Sequence, residues 1–504
     1  MGILSLEQVL AISTCLAVGY FITSTVYQWH RLRHIPGPFL ASFSYLWIGY
    51  SGYSGKQFAR YKDVGEKYGP VVRVGPNEVI TDDPETIRRI SSTKSTYPRS
   101  GWYDGARFQQ GDAMFTLLEP VKHDKHKAKT AHGYSGRETP GIESAVDEQI
   151  ANLIKLIRRE YVAKPGARSK VVPLDLSKVI PLFTLDVISR IALGKEFGGL
   201  EANRDVVRFY EIVEAILPEL NVVADVPWIR RIVFSDICIR LFGPKTTDRS
   251  GMGLMMKMTN EEVRKKYAGD NKESNDILVK GSFRRHGLTQ TECQIEALFM
   301  FVAGSETTAS ALKITLFYLI ATPTAYNRLK AEMRTAIESG RASSPITAAE
   351  AKELPYLQAV LYEGIRIRPM ATATFGKEVP PDGDNINGHF VPGGTTVGPN
   401  LPSLMYSKAL FGEDADMFRP ERFLEADQAT RTEMQRNVDL VFGYGRWMCA
   451  GKNIAWLELN KTLFELLRQF DFRILDPKVG FKCFSHGAWV DHDMFVAATE
   501  SDSK

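Results

Sequence analysis

A continuous apolar stretch opens the chain. Residues 9–29, VLAISTCLAVGYFITSTVYQW, give 21 positions without Asp, Glu, Lys or Arg, close to the ~20 that a helix needs to cross a hydrocarbon core of ~30 Å. Glu7 precedes the stretch and Arg31 and Arg33 follow it, so the positive-inside bias leaves the body of the protein in the cytosol. A cleaved signal peptide is the competing reading. Its apolar region usually runs about 7–15 residues behind a basic start, whereas this start carries no base. The pattern predicts a retained single-pass membrane anchor over residues 1–30. IPGP, Ile35–Pro38, then stops the helix, because proline cannot continue its hydrogen bonding, and marks a hinge over residues 31–45.

The body, residues 46–504, shows no linker and no repeat. GPVVRVGPNEVITDD, Gly69–Asp83, alternates apolar and polar residues between Gly and Pro turns and predicts short strands. Helical periodicity dominates from about Glu143 to Ile320. GHFVPGGTTV, Gly388–Val397, predicts a hairpin or strand pair around a Pro-Gly turn. A last helix is predicted over about Asn453–Phe470, followed by short strands. The fold class is mainly α with minor β, one large α+β unit.

A long apolar helix is predicted between Leu288 and Pro323. Thr289 with Glu292 reads as a capping box, and Pro323 as the stop. At its centre, AGSETT (Ala303–Thr308) sets the Glu306 carboxylate beside the Thr307 hydroxyl. A charge there argues against a second membrane span. Gly304 costs ~1 kcal/mol relative to Ala, and Thr307 can bond back to the Ala303 carbonyl. A proton relay and a polar patch satisfied by neighbouring loops are both open readings.

Composition narrows the class. Of 504 residues, 44% are hydrophobic and 24% charged, with net charge +4; this is a globular chain, not a disordered one, and nothing in it marks a nucleic-acid binder. The five cysteines are scattered with no C-x-x-C, which excludes a zinc knuckle and a disulfide framework. Cys449 nevertheless stands in a distinctive run, FGYGRWMCAG (Phe442–Gly451). It is either a free cysteine acting as a small hydrophobe or a metal ligand. A site built from protein alone needs three or four ligands, but one thiolate suffices where a macrocycle supplies the rest, as in haem. Gly443 and Gly445 would then allow a tight turn, with Gly451 entering a helix close to the ring. LYEGIRIRP (Leu361–Pro369) pairs Glu363 with Arg366 at i,i+3, and FRPERF supplies Arg422. Such a pair is worth little on a surface; buried between two arginines, Glu363 would act as a structural lock.

Taken in order, AGSETT, EGIR, PERF and FGYGRWMCAG resemble cytochrome P-450, the haem-thiolate monooxygenase family, over nearly the whole chain. NEVITDD, YPRSGWYDGARF and HGYSGRE are similar to fungal secondary-metabolite members, pisatin-demethylase-like ones among them. The resemblance implies the cytochrome P-450 fold and haem b, with Cys449 as iron ligand and Phe442 packed on its loop. It implies that Glu306 and Thr307 deliver protons beside the oxygen site, that Ala303 and Gly304 form the groove admitting oxygen, and that Glu363, Arg366 and Arg422 lie behind the haem. The family usually has Arg or His two positions before the cysteine; Trp447 stands here. Arg446, His126, Lys129 and Lys377 are therefore the expected stand-ins for contacts to the haem propionates.

Further expectations follow from the resemblance. Electrons come from an NADPH–cytochrome P-450 reductase, since the chain carries no flavin or nicotinamide motif. Lys452, Lys127, Lys129 and Arg446 form either its docking face or a merely solvated one. Trp102, Tyr103, Phe108, Phe301, Met370, Thr372 and Phe484 are candidates to line a pocket for a lipophilic substrate. The implied function is insertion of one oxygen atom from O2 into a secondary-metabolite intermediate at the endoplasmic reticulum membrane. The alternatives are a haem-thiolate isomerase or dehydratase consuming no O2, and a non-catalytic haem-binding membrane protein.

Overall fold

Capping chemistry sets where the first helix begins. Ser5 and Gln8 exchange side-chain and backbone hydrogen bonds in a capping box, and the helix runs over Leu6–Leu32. The computed structural model describes residues 5–136, 139, 141–162, 171–268, 277 and 282–501; Arg137 and Glu138 of the HGYSGRE motif lie outside them. Leu10, Leu16, Phe21 and Ile22 are exposed along the first helix, which is long and apolar enough to cross a membrane. Its last turn is gripped by the body. Arg31 donates to the Gly393 carbonyl at 2.6 Å, Arg73 donates to the Gln28 carbonyl at 3.1 Å, and Leu32 and Ile35 pack with Val71, Val79 and Val397. A Cβ on Gly37 would lie 2.2 Å from the Arg73 carbonyl oxygen, so only glycine lets the hinge pass this close.

The strands are short: β1 Val71–Arg73, β2 Glu78–Thr81, β3 Leu174–Asp175, β4 Lys377–Glu378, β5 Asp384–Ile386, β6 His389–Val391, β7 Thr396–Pro399, β8 Phe470–Ile474, β9 Lys482–Ser485, β10 Trp489–His492 and β11 Phe495–Glu500. The largest sheet has the order β1-β2-β7-β4, with β2 and β7 parallel. The pairing expected within Gly388–Val397 does not form. Instead β6 closes a hairpin on β5 through Asn387 and Gly388, both at positive φ (47° and 83°), the backbone that a tight two-residue turn requires. The Pro-Gly-Gly segment then carries the chain into a different sheet, where β7 joins β2 and β4.

The central helix, Gln290–Ala321, organises the core. It has 32 residues and so spans about 48 Å at 1.5 Å per residue. Thr289 and Glu292 form its capping box, and Pro323 opens the next helix, Pro323–Glu338. Its apolar faces pack on the buried helix Leu176–Leu193 and on helices Pro355–Ile367 and Lys452–Gln469. A Cβ on Gly304 would come within 3.0 Å of Ile188, so glycine at this position also serves close helix packing.

Behind the helix Lys452–Gln469, three charges are wholly enclosed. The Arg366 guanidinium donates to both Glu363 oxygens at 2.7 Å, and Arg422 Nε lies 3.1 Å from each. The remaining guanidinium hydrogens go to the carbonyls of Met405, Phe411, Ala415, Met417 and Asp414 and to the Asp414 carboxylate. Glu363 also accepts from Arg419 N at 2.7 Å. One carboxylate thus ties the end of helix Pro355–Ile367 to the whole 405–422 segment. Removing one partner of a buried pair costs about 3–5 kcal/mol. Glu363→Gln is expected to lower the unfolding free energy by that amount, read as a reduced urea midpoint; an unchanged midpoint would contradict the lock.

Candidate active site

The cysteine loop is shaped before it is charged. Gly443 and Gly445 have φ of 73° and 55°, and a Cβ on Gly445 would sit 2.6 Å from the Ser91 carbonyl oxygen. The turn brings Cys449 N to the Phe442 carbonyl at 2.7 Å. Helix Lys452–Gln469 starts immediately after the loop, with Gly451 as its N-cap. The residue as a whole is exposed, yet its sulfur lies deep enough that burial pushes the thiol up. The N–H groups of Gly451 and Lys452 and the ammonium groups of Lys127 and Lys452 pull it down. A bound cation settles that contest, because a coordinating thiol is deprotonated outright. Phe442 is buried and its ring lies 6.3 Å from that of Trp456.

On the central helix, Thr307 Oγ1 donates to the Ala303 carbonyl at 2.7 Å, and the helix remains continuous there. Glu306 Oε1 accepts from Lys313 Nζ at 2.8 Å. Burial raises the Glu306 carboxyl, against the opposing pull of Lys313. The lysine is the one base in this helix; it sits seven residues beyond Glu306 on the same face, a signal the sequence carried and pattern reading passed over.

The residues expected at the propionates fall in different places. Arg446 is committed to Asp124 (2.9 Å) and to the carbonyls of Ser95 and Thr93 (both 2.7 Å). His126 binds Glu296 at 2.7 Å, and Lys129 donates to the Gly287 carbonyl at 3.0 Å. Both therefore face the first turns of the central helix, not the cysteine loop. The neighbouring face of helix Pro120–Tyr134 is the one turned to the loop. The His123 ring lies 4.5 Å from that of Trp447, and Lys127 donates to the Arg446 carbonyl at 2.7 Å. His123 is pushed down to about 3, first by burial and then by Arg99, so it stands neutral.

What remains near the loop is a buried basic cluster, in which Arg99 Nη1 donates to the carbonyls of Met114 and Phe115 at 2.8 and 2.7 Å and two further donor atoms lack a partner. Arg99 stacks within 4.6 Å of the Tyr103 and Trp447 rings and bridges backbone-to-backbone with Lys377. Arg99 Nε and Trp447 Nε1 have no hydrogen-bond partner. Lys377 is pushed down to about 7 by burial and then by Arg99. Among the described residues no carboxylate pairs with either cation. Two like charges buried together cost several kcal/mol unless an anion joins them. A pair of carboxylates arriving on a ligand would satisfy the guanidinium, the ammonium and the indole at once. The chemistry of this set fits the two propionates of haem; it includes Lys377 and adds Arg99, which lies within YPRSGWYDGARF.

Of the pocket candidates, Phe301 is fully buried against Phe197, Trp102 donates to Asp225 at 3.0 Å, and Thr372 donates to Gln57 at 3.1 Å. Tyr103 and Met370 are buried, Phe108 is partly buried and Phe484 is exposed. Tyr103 and Trp102 join Phe115, Phe299 and Phe375 in one aromatic cluster. Phe375 holds φ of 42°, an uncommon conformation for a bulky side chain. The proximal bases are largely neutralised: Lys452 pairs with Asp439 at 2.9 Å, and Arg446 with Asp124.

Comparison with known proteins agrees with this geometry. The Cytochrome P450 family profile matches residues 34–485. Cytochrome P450 monooxygenase aba1 of Botryotinia fuckeliana is 48% identical over 94% of this chain and 92% of its own length. Cytochrome P450 monooxygenase ABA1 of Pyricularia oryzae is 41% identical over 98% and 97%. Pisatin demethylase of Fusarium vanettenii is 30% identical over 90% and 87%. With its cysteine loop, its long central helix and these relatives, the chain belongs to the cytochrome P450 family and is a monooxygenase.

Proposed function

We propose that the protein is a membrane-anchored monooxygenase that oxidises a lipophilic secondary-metabolite intermediate with electrons from an NADPH-dependent reductase. The observation that carries this reading is the Cys449 loop beside two buried bases, Arg99 and Lys377, that no carboxylate meets among the described residues, with Arg99 Nε and Trp447 Nε1 unpaired. Cys449 would hold the iron, and Arg99, Lys377 and Trp447 would hold the propionates. Bound haem supplies oxygen activation, to which a thiolate ligand contributes electron density. The protein supplies placement and protons. Glu306 Oε1 is held by Lys313, which leaves Oε2 to exchange a proton with water. Thr307 Oγ1 spends its hydrogen on the Ala303 carbonyl and keeps its lone pairs to accept one. Glu363, Arg366 and Arg422 keep the segment behind the loop rigid.

The aromatic cluster of Trp102, Tyr103, Phe115, Phe299 and Phe375 supports an apolar substrate. The exposed apolar N-terminal helix supports the anchor. Trp228, Ile237, Leu241 and Phe242, exposed on two short helices, add apolar surface that suits the endoplasmic reticulum membrane more than water. An isomerase or dehydratase that consumes no O2 would have no use for the Glu306–Thr307 pair.

Three outcomes test the reading. Cys449→Ala is expected to abolish the long-wavelength absorption band of the reduced carbon-monoxide complex; retention of that band would refute the ligand. Thr307→Ala is expected to raise peroxide released per NADPH oxidised, with product formation falling by up to about 10²-fold, the lower end of what proton transfer contributes. Lys377→Met removes a charged hydrogen bond worth about 1.5–3 kcal/mol. It is expected to speed haem transfer to a competing apo-globin by roughly ten- to a hundred-fold, and an unchanged rate would remove Lys377 from the propionate site.

A further inference from the structure

Lys313 does more than meet Glu306. Its Nζ also lies 3.0 Å from Asp491 Oδ2, and the side chain is 2% exposed. Asp491 belongs to β10, and its other oxygen is clamped by Arg368, whose guanidinium stacks 3.9 Å over the Trp489 ring. A buried line of alternating charge, Glu306–Lys313–Asp491–Arg368, therefore joins the central helix to the terminal hairpin β9–β10. Two carboxylates balance two cations. The other titratable groups facing it are Glu214 and Tyr210 of helix Phe209–Asp225, with His492 and Asp205 acting on Glu214, Cys483 of β9 opposite Asp491, and Tyr318 of the central helix beside Arg368. Glu214 is a further like charge against Glu306.

We propose that Lys313 is a positioning residue for proton delivery, holding Glu306 ionised and oriented at rest and passing to Asp491 when Glu306 takes up a proton. The step balances simply. A proton relayed from bulk solvent as hydronium adds to Glu306 Oε2 and leaves water, the carboxylate becomes a neutral carboxyl, and the ammonium keeps its own proton while Asp491, now shared by Lys313 and Arg368, keeps it paired. No buried cation is left alone at any stage, which is the condition a water-poor site imposes. Burial would depress the Lys313 ammonium, but Glu306 and Asp491 together lift it above its ordinary value, so it stays charged throughout the neutral range. Arg368 and Lys313 hold Asp491 below its ordinary value against burial, which keeps the second seat ionised.

The inference rests on the reading of Glu306 as a proton-delivering acid, and the two are separable. The test is pH-difference infrared spectroscopy of the haem-loaded full chain, following the carboxyl band that Glu306→Gln removes. Lys313→Met leaves Asp491 paired with Arg368 and should move the Glu306 midpoint up by a pH unit or more. Asp491→Asn removes a like charge and should move it down. Lys313→Arg should restore the original midpoint. Opposite signs for the two removals are the signature, because general loosening of the core would move both the same way. Midpoints that fail to move, or that move together, overturn the proposal. Where Lys313→Met does not retain the carbon-monoxide band of a folded, loaded enzyme, the sign of the Asp491→Asn shift alone decides. Peroxide release per NADPH is measured in parallel. If Glu306→Gln leaves it unchanged, the delivering role of Glu306 fails while the infrared shifts still judge Lys313. If Glu306→Gln raises it and the midpoints stand still, Lys313 alone is refuted.

Discussion

A single sulfur can serve as a metal ligand only when the fold removes every alternative use for it. In this chain that constraint is met by backbone, not by other ligating side chains. Two glycines at positive φ turn the chain so that Cys449 N closes on the Phe442 carbonyl. The N–H groups of Gly451 and Lys452, at the start of the following helix, face the sulfur. Everything else in the site is placed relative to this turn. The central helix packs on helix Lys452–Gln469, the Glu363 lock holds the segment leading into the loop, and Trp447 meets Arg99 on its flank.

Much of this was legible in the sequence wherever the signal is local. Caps, stops and glycines act within a turn or two, so the central helix was expected within two residues of each end, and the loop within its own motif. Non-local placement was harder to read. His123 and Lys127 are four apart and share one face of helix Pro120–Tyr134; His126 and Lys129 are three apart and share the next. Composition ranks these faces equally, and only the packing angle shows which meets the loop. The same limit explains β6 and β7. A Pro-Gly-Gly segment between two apolar runs resembles a hairpin, while the tighter Asn387-Gly388 turn immediately before it captures β6 for another partner.

The charges of the molecule separate into sets with different meanings. The Glu363 set carries two guanidiniums against one enclosed carboxylate, and backbone carbonyls with Asp414 complete the balance. It has no polar atom turned toward a ligand and reads as structure. The Glu306 line is neutral as it stands, and if Glu306 is protonated Asp491 still touches both Lys313 and Arg368. Its far end rests in β10, paired with β9 and its exposed Phe484. Any displacement of this hairpin is therefore felt at Asp491 first, and through Lys313 at the acid.

The set around Arg99 and Lys377 is the unbalanced one, and the imbalance is informative. A fold that buries two cations side by side, with an indole N–H and a guanidinium Nε both unpaired, carries a cost that its own residues do not offset. Evolution tolerates such a cost where a ligand brings the missing charge. The nearby His123 is held neutral by burial and then by Arg99, so it adds no third positive charge, and Asp124 is shared between His123 and Arg446. With Arg99 charged and Lys377 pushed down to about 7 by burial and then by Arg99, the cluster is positive with no carboxylate of its own among the described residues, and a ligand carboxylate would offset that charge and keep the lysine protonated. The replacement of the usual base by Trp447 then loses its oddity. On the proposed reading, the guanidinium that the loop lacks would come from Arg99, which the 97–103 segment brings 4.6 Å over the indole ring.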